Sequence, residues 1–236
     1  MSDIFQKSIA KIDNFYKERQ YQLGWRFLNC SKDVLSATPK VAFITLNPGG
    51  NKIPNDHPWD SCENGSSYLT EVWGSSLAGK SNLQIQIQLM FSKLAENLSF
   101  CGTENQLINE SLSGYFVPFR SPRLADLEHK REAFIFGNDL WASVLANVNP
   151  SLFICIDRES FKHLKPLIEQ TYNLPVTASE KYKTGWGNYS AEIVTFGCHS
   201  EKKLLRLPHL STFKLFTSKK CVENIDILFS KFCKNL

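Results

Sequence analysis

The chain has 236 residues, 42% hydrophobic and 12% aromatic, with a net charge of +4. That composition supports a sizeable core and excludes a disordered or collagen-like chain. No apolar run approaches the roughly 20 residues a membrane helix needs. The opening "MSDIFQKSIAKIDNFYKERQ" also lacks the unbroken apolar stretch of a signal peptide, so a cytoplasmic protein with no membrane partner is expected.

Residues 3–20 set Ile4, Ile9, Ile12, Phe15 and Tyr16 at helical spacing, within an N-terminal helical extension expected over about 1–38. "KVAFITL" (40–46) is short, apolar and β-rich, hence a buried strand that stops at the turn "NPGG". Residues 51–82 are rich in Gly, Ser and Asn and read as a loop insert. In 83–98 a stripe of Leu83, Ile87, Met90, Phe91 and Leu94 predicts a helix. "GYFVPFR" (114–120) predicts a second strand. Residues 124–148 predict a helix with a candidate break at Gly137, "SLFICID" (151–157) a third strand, and 158–172 a helix. Two further strand-like runs (191–198 and 203–209) and an amphipathic helix (221–235) follow. Strands alternating with helices predict one domain over 1–236. Its expected fold is a three-layer α/β/α sandwich with a mostly parallel central sheet of about four strands and room for short additional ones. Ligands of such folds sit at the carboxyl ends of the strands.

The seven cysteines are odd in number and none has C-x-x-C spacing, which disfavours a disulfide framework, a zinc ribbon or a closely ligated iron–sulfur cluster. "GSSLAGKS" matches a phosphate loop at Gly74, Gly79, Lys80 and Ser81. A phosphate loop needs a buried strand before it, however, and "SSYLTEVW" has a glutamate in its middle. Asp157 after "FICI" resembles a metal-holding strand end, but apolar strands ending in Asp are common. An NTPase is therefore an alternative reading, and a chance match in a Gly/Ser-rich loop is the simpler one. Residues 201–236 carry eight Lys or Arg against three acids, while the rest of the chain sums to −1. That concentration reads either as a phosphate footprint or as a solvated basic helix.

A second constellation lies at two strand ends. "ITLNPGG" puts Asn47 after the first strand, with Pro48 fixing the turn and Gly49 and Gly50 leaving backbone amides open to a ligand. "LRLPHLSTFKLF" puts His209 after a late strand, followed by Ser211, Phe213, Lys214 and Leu215. In order, spacing and strand context, "TLNPGG" and "LPHLSTF" resemble the two signature motifs of the uracil-DNA glycosylase superfamily over roughly residues 25–235. "YFVPFRSP" and "PSLFICIDRES" look like the core strands between them. The resemblance implies a monofunctional glycosylase that flips a nucleotide out of DNA and hydrolyses its base–sugar bond. It needs neither metal nor cofactor, and DNA is its partner, with no obligate protein partner evident. Asn47 matches the residue that orients the hydrolytic water; an amide is no strong base. His209 matches the donor to the departing base, and Ser211 the hydroxyl that grips a phosphate. Phe213 or Leu215 would be the wedge that fills the vacated stack, and Lys214, Lys219 and Lys220 would add phosphate contacts. Structural readings stand beside these: a capping histidine, an ordinary turn, core phenylalanines. His57, His129, His163 and His199 read as structural or surface residues.

One departure bears on the substrate. Uracil-reading members carry an Asn where this chain has Tyr115, and a phenol lacks the amide's donor–acceptor pair. Trp59, Tyr68 and Trp73 in the loop insert are expected to line a larger pocket, where aromatic faces stack on a base or an attached sugar. The departure resembles, more weakly, the bacterial anti-phage DNA glycosylases that excise glucosylated hydroxymethylcytosine. The expected activity is excision of a modified pyrimidine. Uracil excision in repair, or nucleic-acid binding by a non-catalytic module of the same fold, would also fit the two motifs.

Overall fold

The computed structural model describes residues 3–53, 55, 57–199 and 201–234. In chain order the elements are α1 (Asp3–Glu18), β1 (Val41–Thr45), α2 (Ser67–Thr70), α3 (Asn82–Leu98), α4 (Glu104–Glu110), β2 (Leu112–Tyr115), α5 (Lys130–Leu145), β3 (Leu152–Cys155), α6 (Arg158–Tyr172), β4 (Val176–Lys183), β5 (Ser190–Phe196), β6 (Lys202–Arg206) and α7 (Val222–Cys233). They build one six-stranded sheet in the order β2-β1-β3-β6-β5-β4. The first four strands in that order are mutually parallel, and β5 and β4 add on antiparallel.

The apolar strands explain the layering. All five residues of β1 are buried. Ala42 and Ile44 enter one core cluster with Phe5 and Ile12 of α1, Leu140 of α5 and Ile168 of α6. Val41 and Phe43 enter a second cluster with Met90 of α3, Leu107 of α4 and Phe229 of α7. Successive side chains point to opposite faces, so helices cover both faces of the sheet. Among the described residues, no helix is long and apolar enough to cross a membrane.

Three expectations need correction. The sheet has six strands instead of about four, because β5 turns back as a hairpin with β4. The eight residues of β4, "VTASEKYK", are half-exposed or exposed throughout, as befits an edge strand defended by polar side chains. The helix over 130–145 passes through Gly137 without a break. Glycine is there for close packing, since a Cβ would stand 2.6 Å from the Phe116 carbonyl oxygen. Residues after α1 do not merely extend the N-terminus. Trp25 and Leu28 bridge antiparallel to Phe119 and Gly114, and Phe27, Leu28 and Cys30 are fully buried.

Candidate active site

Four parallel strands place their carboxyl ends along one edge of the sheet. The chain crosses from β1 to β2 on one side and then to β3 on the other, so the order reverses at the β1/β3 boundary. That is where open α/β sheets form ligand crevices. A cavity of about 630 Å³ opens there, within the roughly 300–1,000 Å³ of small-molecule sites. Asn47, two residues past β1, and His209, three past β6, both line it. Only β3 separates those strands, which sets their axes roughly 10 Å apart.

The Asn47 amide is oriented by its neighbours. The Ser121 hydroxyl donates to the Arg123 carbonyl at 2.9 Å, so it accepts from Asn47 Nδ2, also at 2.9 Å. Nδ2 donates to the Pro48 carbonyl at 3.1 Å as well. The nitrogen is thereby committed to the protein, and Oδ1 is left as the acceptor. The turn beyond uses a positive φ of 104° at Gly50, which only glycine adopts easily. Arg120 Nη1 donates to the Gly49 carbonyl, tying this turn to the one after β2.

The tautomer of His209 follows from its surroundings. The Ser211 backbone N–H lies 3.3 Å from His209 Nδ1, and the Ser211 hydroxyl 2.7 Å from it. A backbone N–H can only donate, so Nδ1 is the acceptor and the proton of the neutral ring sits on Nε2. The His209 ring is exposed on one side, and partial desolvation by the surrounding cavity walls lowers its pKa below the ordinary histidine value, with the nearby negative charge of Asp157 opposing that shift. A neutral imidazole with an Nε2–H donor results. Asp157 itself caps α6, accepting from Ser160 N at 2.6 Å and Ser160 Oγ at 2.7 Å.

The cavity wall carries charges that the sequence did not single out. Arg26, 4% exposed, donates through Nη1 to Glu71 Oε2 at 3.0 Å and through Nη2 to Glu71 Oε1 at 2.5 Å. Trp73 Nε1 donates to Glu71 Oε2 at 2.9 Å. Burial favours protonation of Glu71, but Arg26 and Trp73 outweigh it and hold the carboxyl below the ordinary glutamate value. Glu71 is the one carboxylate among the described residues lining the cavity. Burial lowers the pKa of Arg120, and its Nε has no protein partner among the described residues. Arg120 was read as the end of a strand over 114–120, but β2 stops at Tyr115 and Arg120 lies in the turn after it. Arg26 and Glu71 gave no signal, since each lies in a stretch of unremarkable local pattern.

The expected site residues divide into two groups. Gly49, Tyr68, Trp73 and Tyr115 line the cavity with Asn47 and His209. His57, which read as a structural or surface residue, lines it too, with Nε2 3.1 Å from the Val72 carbonyl. Tyr115 is half-buried at the end of β2; burial raises its phenol pKa, with the Arg26 charge opposing. Gly50 shapes the turn from an exposed position. Trp59 stands elsewhere: its ring packs edge-on against Trp25 at 5.7 Å and Tyr16 at 6.1 Å. Leu215 is fully buried in the core and therefore is no surface wedge. Ser211, Lys214, Lys219 and Lys220 are exposed, and Phe213 is partly exposed beside His209 in an adjoining cavity.

The phosphate-loop match lacks its structural context. Residues 67–70 are helical, and no strand leads into Gly74. The amides of Gly79 and Lys80 donate to the Glu71 and Leu77 carbonyls. The Ser81 hydroxyl caps α3 in a reciprocal pair with Gln84. All seven cysteines are free. No protein-family model matches the sequence, and a comparison with curated proteins finds no match.

Proposed function

We propose that this chain is a DNA glycosylase of the uracil-DNA glycosylase kind, hydrolysing the base–sugar bond of a flipped pyrimidine and leaving an abasic site. The observation that carries the reading is the convergence of Asn47 and His209 on one cavity, each with its hydrogen-bonding role set by neighbours. As the bond from the sugar carbon to the base nitrogen breaks, the electron pair leaves with the base. The Nε2–H of His209 donates to the base oxygen where that negative charge gathers. A water held by Asn47 Oδ1 adds to the electron-poor sugar carbon and releases its proton to solvent. Such a preorganised donor acts on charge that develops only in the transition state.

Glu71 favours a cytosine-type base. A carboxylate accepts from the exocyclic amine of cytosine, whereas uracil presents an oxygen at that position. The cavity is roomier than a bare pyrimidine ring requires, which fits a substituted base such as the glucosylated hydroxymethylcytosine of phage DNA and a role in defence. The test incubates purified protein with duplexes carrying uracil, cytosine and substituted cytosines, assays alkali-labile sites and identifies released bases by mass spectrometry. Release of a substituted cytosine, slowed about 100-fold or more in Asn47→Ala and His209→Ala, is expected. No release from any of these DNAs, glucosylated phage DNA included, counts against the reading.

A further inference from the structure

Behind His209 lies a second cavity, of about 740 Å³, which shares His209 and Ile156 as walls with the first. Its far side comes from an element outside both signature turns. The β4–β5 hairpin reverses at the same edge of the sheet as the end of β6, since Glu192 near the start of β5 pairs with Arg206. The turn is rigid: the Thr184 hydroxyl donates to the Tyr189 carbonyl at 2.7 Å, and Tyr189 N to the Trp186 carbonyl at 3.1 Å. It presents Tyr189, 49% exposed, with its ring centroid 4.2 Å from that of Phe213. Trp186 also meets Phe213 edge-on, and the Lys220 ammonium lies 4.3 Å above the Trp186 ring. Exposed Arg158 lines the cavity as well.

Resting on the glycosylase reading, we propose that this second cavity binds the nucleotide next to the flipped one. Its unstacked base would lie on the Tyr189–Phe213 shelf and its phosphate against Arg158. Three observations agree on that occupant. The cavity adjoins the candidate active site, with His209 and Ile156 as walls of both, so a strand that delivers one nucleotide to the first cavity runs beside the second. Aromatic faces accept any base, because every base has a π-face. Arg158 on the wall, with Lys220 nearby over the Trp186 ring, supplies the positive charge that a phosphodiester backbone needs, while the Asp157 carboxylate on the same wall is engaged by Ser160.

The experiment places 5-iodouracil one nucleotide to either side of the target in a duplex, irradiates the bound complex and maps the crosslink by mass spectrometry. Affinity and base release are measured in parallel for Tyr189→Ala, Tyr189→Phe and Arg158→Ala. A crosslink at Tyr189 or Phe213 is expected. Tyr189→Ala should lose about 5- to 150-fold in affinity, the range that base–aromatic stacking spans, while Tyr189→Phe keeps it. If base release proceeds but the crosslink maps elsewhere and Tyr189→Ala binds as well as the parent, the second site is refuted and the glycosylase reading stands. If the protein neither binds DNA nor releases a base, both fall together.

Discussion

At the scale of single residues, His209 ties activity to pH in a defined direction. Partial desolvation holds its folded pKa below the unfolded value, so the folded state binds fewer protons at this ring than the unfolded chain does. Above the ordinary histidine range the ring is neutral in both states and costs nothing. As the pH falls from that range toward the lowered folded value, the unfolded chain protonates first and a little stability is lost, little because the ring is exposed; protonation of the folded ring then removes the acceptor that Ser211 N requires. The pH profile of kcat/KM should therefore be flat through neutrality, with an acid limb below the ordinary histidine value of about 6.5. An acid limb above that value would mean another group is titrating. His209→Ala should lower the chemical rate by about 100- to 1000-fold with little change in DNA affinity, as for loss of one preorganised donor. Tyr115 gives a second test. Its half-buried ring is part of the cavity wall beside Arg26 and Glu71. If it stacks on the base or its substituent, Tyr115→Asn should reduce release of the native base by roughly 5- to 150-fold and raise uracil release slightly. Unchanged rates on both substrates would detach this residue from base recognition.

At the scale of elements, α5 shows why propensity alone misleads. Helix propensity favours alanine over glycine by roughly 1 kcal/mol, so Gly137→Ala looks stabilising on paper. The added methyl would meet the Phe116 carbonyl oxygen at 2.6 Å and the Phe116 ring at 3.0 Å. Overpacking a tight contact commonly costs about 1–3 kcal/mol, so steric conflict outweighs the propensity gain. Gly137→Ala should lower the melting temperature, and calorimetry decides the sign. The loop insert makes the opposite point. Its composition is that of a flexible excursion, yet the Arg26–Glu71 pair anchors it, and the Gln84 amide donates to the carbonyls of Ser67 and Glu71 at 2.9 Å each. Buried polar groups with partners rigidify a loop, and that is how Trp73 and Glu71 are held at the cavity wall.

Over the whole molecule, the basic excess of the C-terminal segment splits into two populations. Lys202 donates to Asn149 Oδ1 at 2.6 Å and to the Pro150 carbonyl at 2.7 Å. Lys203 donates to the Lys231 and Lys234 carbonyls. Both lysines open β6, so Lys231 and Lys234 lie toward the edge of the sheet opposite the cavity. Lys214 follows β6 on the cavity side and is exposed. Removing one lysine from a DNA phosphate reduces the log–log salt slope of binding by about 1. Lys214→Ala should show that change and weaken binding to every DNA sequence alike, without altering which base is released. Lys231→Ala should leave the slope where it was. Equal effects of both substitutions on the slope would mean the charge acts only as a diffuse field.

Periodicity made much of the frame legible. Unbroken apolar runs marked β1 and β3, helical stripes marked α1 and α3, an amphipathic pattern marked α7, and a proline-glycine turn marked Asn47 as the end of a strand. Those are local signals, because backbone propensity and side-chain period act over a few residues. The polar edge strand β4 escaped, since a strand with little to bury has little apolar pattern to show. The fate of individual side chains was decided only in three dimensions. Trp59 and Trp73 sit in the same loop insert, but one packs into an aromatic corner and the other faces the cavity. Phe213 and Leu215 are two residues apart, yet one is partly exposed beside His209 while the other is buried. Arg26 and Glu71 became a cavity wall through a pairing that no local pattern encodes. Burial is a property of the packed chain, set by which distant elements close over a residue, and that is why the end of β1 could be read from the sequence, while β2 stopped five residues and β6 three residues short of their expected ends and the walls between them could not be read at all.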